Sequence, residues 1–201
     1  MKLFHYHFWT DKVEETEQFY RKLGFTVIGR HAMGKGTIVT YHPPLDWNDF
    51  REESPLFRII EVGNGEVRIT FGAGKASLFD HIGFLVNADE LHKLCNRAEV
   101  LGWKVARGER RTFIHTPYRF KLELQLRHDL VQETDIALRA VTLEVNDDEV
   151  EQQLRRLFNG ELPAVNITKG ERVHLKEVHF QGLSVQENDP NGVKLKGEEA
   201  E

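Results

Sequence analysis

The chain has 201 residues, a formal net charge of -5 and 40% hydrophobic against 29% charged residues, enough apolar side chain for one large core or two small ones. An acidic balance argues against a nucleic-acid or anionic-membrane binder, since either would want a basic face, and no run approaches the roughly 20 apolar residues that span a bilayer. A cytoplasmic protein without a leader peptide is expected, and with Cys95 as the one cysteine, any metal must be held by nitrogen and oxygen.

The first element reads LFHYHFWT. Alternation over Leu3 to Thr10 predicts a strand with His5, His7 and Trp9 on one face and Phe4, Tyr6 and Phe8 on the other. A helix should follow, capped by Asp11, carrying Val13, Tyr20 and Leu23 on one side and stopped at Gly24. The runs FTVIGRH, GTIVTY and EVRITF are predicted strands. Between the last two lies HPPLDWNDFREESP, whose prolines break pairing and whose Trp47 and Phe50 suit either a lid over a pocket or a long surface loop. After the linker GAGKASLF, the strand DHIGFLV leads to a helix capped by Asn87, with Leu91, Leu94, Cys95, Ala98 and Leu101 on its buried side and Gly102 at its end. The strands WKVARGE, RTFIHT and FKLELQL complete that unit. Beyond RHDLVQETD come the strand RAVTLEV, a helix capped by Asn146 or Asp147 with Val150, Leu154 and Leu157 inward and Gly160 after it, and the short runs PAVNIT, RVHLKEV, GLSVQEN and VKLK.

One strand-helix-strand grammar thus occurs three times. The expected fold class is α+β, with repeated βαβββ modules at residues 1–77, 78–130 and 137–197, the first two forming one cup and the third degenerate. In the second unit Ile82, Phe84 and Val86, with Leu122, Leu124 and Leu126, form the face that the helix covers, which turns His81 and Glu123 to the other side. His5 and His7 project from the equivalent surface. Two imidazoles and a carboxylate on three strands suit a divalent ion and leave positions open for substrate; the alternative is a hydrogen-bonded polar cluster without metal. His7, one pleat from His5, is placed to move protons, or to be a satisfied cup residue. His115 lies on the strand before Glu123, with Tyr118 in the turn. GAGKAS lacks the spacing of a phosphate loop, and no G-x-S-x-G is present.

The histidine in the first strand, FYRKLGF closing its helix, DHIGFLV, and TPYRFKLEL at Thr116 to Leu124 together resemble the vicinal oxygen chelate superfamily of glyoxalases, extradiol dioxygenases and bleomycin-resistance proteins. The resemblance spans the first two units and implies metal ligands at His5, His81 and Glu123, with Fe2+ or Mn2+ favoured and Zn2+, Ni2+ or Co2+ compatible. At the slot of a fourth ligand stands Arg68, which cannot coordinate and which argues for an extradiol-like rather than a glyoxalase-like site. His7 and His115 are the candidate catalytic groups, and Arg68, Trp47 and Tyr118 the candidate contacts for a small-molecule substrate. The alternatives are a lyase, isomerase or epoxide-opening transferase, or a metal-free binding protein on the same cup. In the third unit Ala140 and Lys196 stand where a histidine and a glutamate would sit, so it should hold no metal and should cover its sheet in a homodimer or against the first cup.

Overall fold

In the computed structural model, which describes residues 1–34 and 36–199, the chain forms two sheets. The first unit contains β1 (Lys2–Thr10), α1 (Val13–Lys22), β2 (Thr26–Gly34), β3 (Thr37–Tyr41), β4 (Phe57–Asn64) and β5 (Val67–Ala73). The second contains β6 (Leu78–Leu85), α2 (Ala88–Val100), β7 (Lys104–Arg107), β8 (Thr112–His115) and β9 (Lys121–Gln125). They share one nine-stranded sheet in the order β3-β2-β4-β5-β1-β6-β9-β8-β7. β1 and β6 run antiparallel at its centre, and each is flanked by the last strand of its own unit in parallel, β5 on β1 and β9 on β6. The two units are therefore related by a pseudo-twofold between β1 and β6, and residues of both first strands meet on one face.

The opposite face is apolar. Tyr6, Phe8, Ile69, Phe71, Ile82, Phe84, Leu122 and Leu124 are all buried beneath α1 and α2 or against the second sheet. Asn87 caps α2 as expected: its side chain accepts from the Glu90 amide at 2.9 Å, and the Glu90 carboxylate accepts from the Asn87 amide at 2.9 Å. Gly102, at φ 74°, ends that helix. Asp11 does not cap α1, which starts after Lys12 with no side-chain cap.

Residues 42–56 are not a lid. They fold back onto α1, where Arg51 binds Glu14, Arg21 binds Asp46, and the buried Arg30 reaches Glu17 and the Leu45 carbonyl. A buried guanidinium and carboxylate demand each other, and that pair draws the loop to the helix side.

The remaining strands are β10 (Ala137–Val145), β11 (Val165–Lys169), β12 (His174–Gln181), β13 (Val185–Asn188) and β14 (Lys194–Glu198), with α3 (Glu149–Leu157) after β10. Their order, β11-β10-β12-β14-β13, shows how this part is degenerate. β10 pairs antiparallel with β12 as β1 does with β6, and β14 lies parallel to β12 as β9 does to β6. The bulges coincide as well: one residue is skipped between Leu138 and Ala140 on β10 as between Leu3 and His5 on β1. The segment thus repeats the centre of the whole cup in shrunken form, without the second helix. Matching the registers puts Ala140 at the place of His5, Glu177 at that of His81 and Lys196 at that of Glu123.

This second sheet turns Val141, Leu143, Val178, Phe180 and Leu195 toward the first. Phe25 meets Phe180 and Phe84 meets Phe158, with ring centroids 6.2 and 5.7 Å apart. Its other face carries Glu144, His174, Lys176, Glu177, His179 and Lys196, cross-linked as ion pairs such as Lys196–Glu177 at 2.7 Å. The reason for expecting a homodimer, an uncovered apolar face, is therefore met within the chain. A buried polar chain also joins the two parts: Tyr6 Oη donates to Tyr20 Oη at 3.1 Å, and Tyr20 Oη donates to Asp189 at 3.0 Å. Tyr20→Phe leaves the buried Tyr6 hydroxyl without an acceptor and takes one donor from Asp189, so urea denaturation should show a loss of about 1–3 kcal/mol. An unchanged midpoint would mean that this chain of hydroxyls contributes nothing to docking.

Candidate metal centre

The concave face of the nine-stranded sheet is laid out in two rows that run across the strands. One row passes through Thr70, His7, His81, Lys121 and His115; the next passes through Arg68, His5, Gly83, Glu123 and Phe113. His5 and Glu123 therefore lie two strands apart, on either side of Gly83. A Cβ on that glycine would come within 2.9 Å of His5 Cβ, so only glycine leaves room for the side chains to close over it.

Two bulges shape this floor. On β6 the register skips Asp80 between Phe79 and His81, so Asp80 and His81 turn to the concave side together. On β1 the skipped residue is Phe4; its ring lies 5.5 Å from His5 and is not part of the main core. Plain alternation places Phe4 with Tyr6 and Phe8, and the bulge overturns that expectation while keeping His5 and His7 on one face.

His5 Nε2 lies 3.1 Å from His81 Nε2, and His81 Nε2 lies 3.2 Å from Glu123 Oε2. All three residues are buried, and their ligand atoms lie within 4.8 Å of one another. The other ring nitrogens fix what these atoms can be. His5 Nδ1 faces the Arg68 carbonyl at 3.1 Å and His81 Nδ1 faces the Asp80 carboxylate at 2.6 Å. Both partners only accept, so both Nδ1 atoms carry the proton, which turns Nε2 of each ring toward the other and toward the Glu123 oxygen. Three ligand atoms turned to one point make a pre-shaped place for a cation. The spacing also fits: ligand nitrogens about 2.1 Å from an ion stand roughly 3 Å apart.

Electrostatics keeps the set ready. Burial, opposed by Glu123, lowers His5 to a pKa of about 4. His7 is pushed down in the same direction by burial and by His81 and His5. Burial alone would raise Glu123, but the His81 hydrogen bond and the charges of His5 and Arg111 outweigh it and hold Glu123 at about 2. Burial likewise opposes ionisation of Asp80, and hydrogen bonds from His81 and Lys121 overcome it, leaving the carboxyl well below its ordinary range.

His7 stacks on His81 at 5.0 Å, and its Nδ1 meets Thr70 Oγ1 at 2.7 Å. Arg68 lines the floor beside His5, yet its guanidinium turns away, to Glu61 at 3.7 Å and the Val67 carbonyl at 3.2 Å. His115 shares the face but stands two strands from His81, with Lys121 between them. Two expected contacts are elsewhere. Trp47 packs on Phe50 and Phe57 with the folded-back loop, and Tyr118 packs edge-on against Trp103, near the α2 side. Neither belongs to the cup, because each is an aromatic that a nearby core cluster absorbs. Asp80, Thr70 and Arg111, whose Nη1 donates to Glu123 at 3.2 Å, are site residues that the sequence reading passed over. Alternation hides Asp80, whereas Arg111 leads the run RTFIHT on the side of His115, a signal that could have found it.

The unfolded chain binds more protons than the fold between His5's pKa of about 4 and its ordinary 6.5. Stability of metal-free protein is therefore greatest above this window and is lost as pH falls through it, His5 alone accounting for on the order of 3 kcal/mol. Urea midpoints should drop between pH 7 and 5 and drop less in His5→Asn; equal slopes would mean that His5 is not held neutral.

Comparison with known proteins agrees with this geometry. The profile of the Glyoxalase/Bleomycin resistance protein/Dioxygenase superfamily matches residues 2–135. No curated protein matches the sequence. Among solved structures, the chain is similar to 2,2',3-trihydroxybiphenyl 1,2-dioxygenase from Sphingomonas wittichii strain RW1, with a TM-score of 0.64 and 12% identity over 98% of this chain and 90% of that one. The 2,3-dioxygenase LapB from Pseudomonas sp. KL28 gives 0.63 and 13%, over 99% and 92%. The Mn(II)-bound glyoxalase from Novosphingobium aromaticivorans gives 0.62 and 11%, over 89% and 64%. With two cup-forming units and the matching profile over them, the chain belongs to the Glyoxalase/Bleomycin resistance protein/Dioxygenase superfamily.

Proposed function

We propose that this protein is a metal-dependent enzyme that engages a small substrate through two neighbouring oxygens, and that it is an extradiol-type dioxygenase before it is anything else. The observation that carries the proposal is the convergence of His5 Nε2, His81 Nε2 and Glu123 Oε2, with the Nδ1 atoms of both rings turned away to acceptors. Two histidines and one carboxylate suit Fe2+ or Mn2+ and leave open positions for a chelating ligand. Bound there, such an ion supplies Lewis acidity to the substrate oxygens and, as iron, a place for dioxygen.

The chain's own residues do the rest. Asp80 and the Arg68 carbonyl hold the two rings in the tautomer and orientation that expose Nε2. His7, neutral at pH 7 and tied through Nδ1 to Thr70, offers Nε2 as acceptor for a proton leaving a substrate hydroxyl. Phe4, Phe113 and Trp9 surround the histidines and exclude water from them. Arg68 leaves the site with three protein ligands. The second reading is a glyoxalase-like lyase or isomerase, supported by the Mn(II)-bound structural neighbour.

Anaerobic reconstitution followed by elemental analysis should give one Fe2+ or Mn2+ per chain in the native protein. His81→Ala and Glu123→Ala should each bind at least tenfold more weakly while keeping their circular dichroism. With a catechol, the iron form should consume one dioxygen per ring opened, followed with an oxygen electrode and by the absorbance of the product. Metal retained without oxygen uptake on any catechol would favour the lyase reading. No binding of iron, manganese, zinc, cobalt or nickel would overturn both.

A further inference from the structure

The segment leading into the strand of Glu123 is rich in basic residues in a chain that is acidic as a whole. Residues 104–121 contain six lysines and arginines against one glutamate, while the full chain has a net charge of -5. Two of these cations reach the metal set. Arg111 Nη1 lies 3.2 Å from Glu123 Oε2, and Lys121 Nζ lies 2.6 Å from Asp80 Oδ2. Both also flank one ring: the Arg111 guanidinium carbon and Lys121 Nζ each stand 5.3 Å from the centre of Phe113, which meets His81 edge-on at 5.2 Å. Their side chains are 46% and 28% exposed, whereas those of His81 and Glu123 are 7% and 3% exposed. The cations therefore lie at the entrance and the ligands at the floor.

Charge balance makes their presence informative. Arg111 and Lys121 already offset the charges of Glu123 and Asp80, so the charge of a divalent ion held by this set is left unmatched by these four groups. Neutral side chains would serve the metal better. Negative charge must come from what enters the cup, and more of it than a single ionised chelating oxygen brings.

We infer that the substrate is an anionic chelator, a planar vicinal diol or comparable oxygen pair that carries a carboxylate, with the ring lying along Phe113 and the carboxylate between Arg111 and Lys121. This rests on the proposed metal-chelating reading of the same site. Arg111 and Lys121 are then the residues that set specificity, and the chemistry stays with the histidines.

The test compares catechol with 2,3- and 3,4-dihydroxybenzoate by anaerobic calorimetry on the manganese-loaded protein, with bound metal measured in each sample. At least one carboxylated probe should bind ten or more times more tightly than catechol. The ratio should shrink to less than threefold in Arg111→Gln and in Lys121→Gln, and Arg111→Lys should recover part of it. Using the ratio within each variant cancels any loss common to both probes. Catechol binding without a preference for either carboxylated probe, or a preference that survives both glutamine variants, overturns the inference and leaves the chelating reading standing. Binding of none of the probes to metal-loaded protein overturns both.

Discussion

The structure depends on one contact, two imidazole Nε2 atoms facing each other at 3.1 Å with a carboxylate oxygen beside them. Burying three polar atoms at one point is costly, and Arg111, which donates to Glu123, and Thr70 Oγ1, 3.4 Å from His5 Nε2, offset that cost only in part. Several local features exist to produce the contact. Gly83 removes the side chain that would separate His5 from Glu123, and the bulge at Asp80 brings an acceptor to His81 Nδ1. The parallel pairing of β1 with β5 places the Arg68 carbonyl against His5 Nδ1. Change any one and a ring can turn or take its proton on the other nitrogen, and the convergence is lost.

The shrunken copy in the last third of the chain shows what the same frame becomes without that contact. At the three equivalent places stand Ala140, Glu177 and Lys196, and the carboxylate is answered directly by the ammonium and by His179. Its polar face is neutralised from within and its apolar face is pressed on the first sheet. The copy acts as a cover for the core side of the cup, locked by Asp189 through Tyr20 to Tyr6, two residues along β1 from Phe4 and between the two cup histidines. Docking of the second sheet and alignment of the site therefore share one strand.

Much of this was legible in the residues. Alternation in DHIGFLV and FKLELQL is enough to set His81 and Glu123 on one face, because those strands keep period two where it matters, and the repeated helix stops at Gly24, Gly102 and Gly160 reveal the modules. What the sequence hid are departures from period. A bulge adds one residue and reverses the side of everything before it, so Phe4 was assigned to the wrong face and Asp80 was passed over. Aromatic residues in loops, Trp47 and Tyr118, look the same whether they line a pocket or finish a core, and only the ion pairs of residues 42–56 and the Trp103 neighbour decide. Degeneracy of the third unit was visible in Ala140 and Lys196, but its reduction from a pair of modules was not, since strand order leaves no local trace.

The tautomers of His5 and His81 test the central claim most directly. Nitrogen-15 long-range correlation spectra of labelled protein, recorded at pH 7.5 with one equivalent of zinc as a diamagnetic ion, should show Nδ1 of both rings protonated and both Nε2 resonances displaced from their metal-free positions. A proton found on Nε2 of either ring in the zinc-loaded protein, or Nε2 resonances that zinc leaves unmoved, would contradict the account.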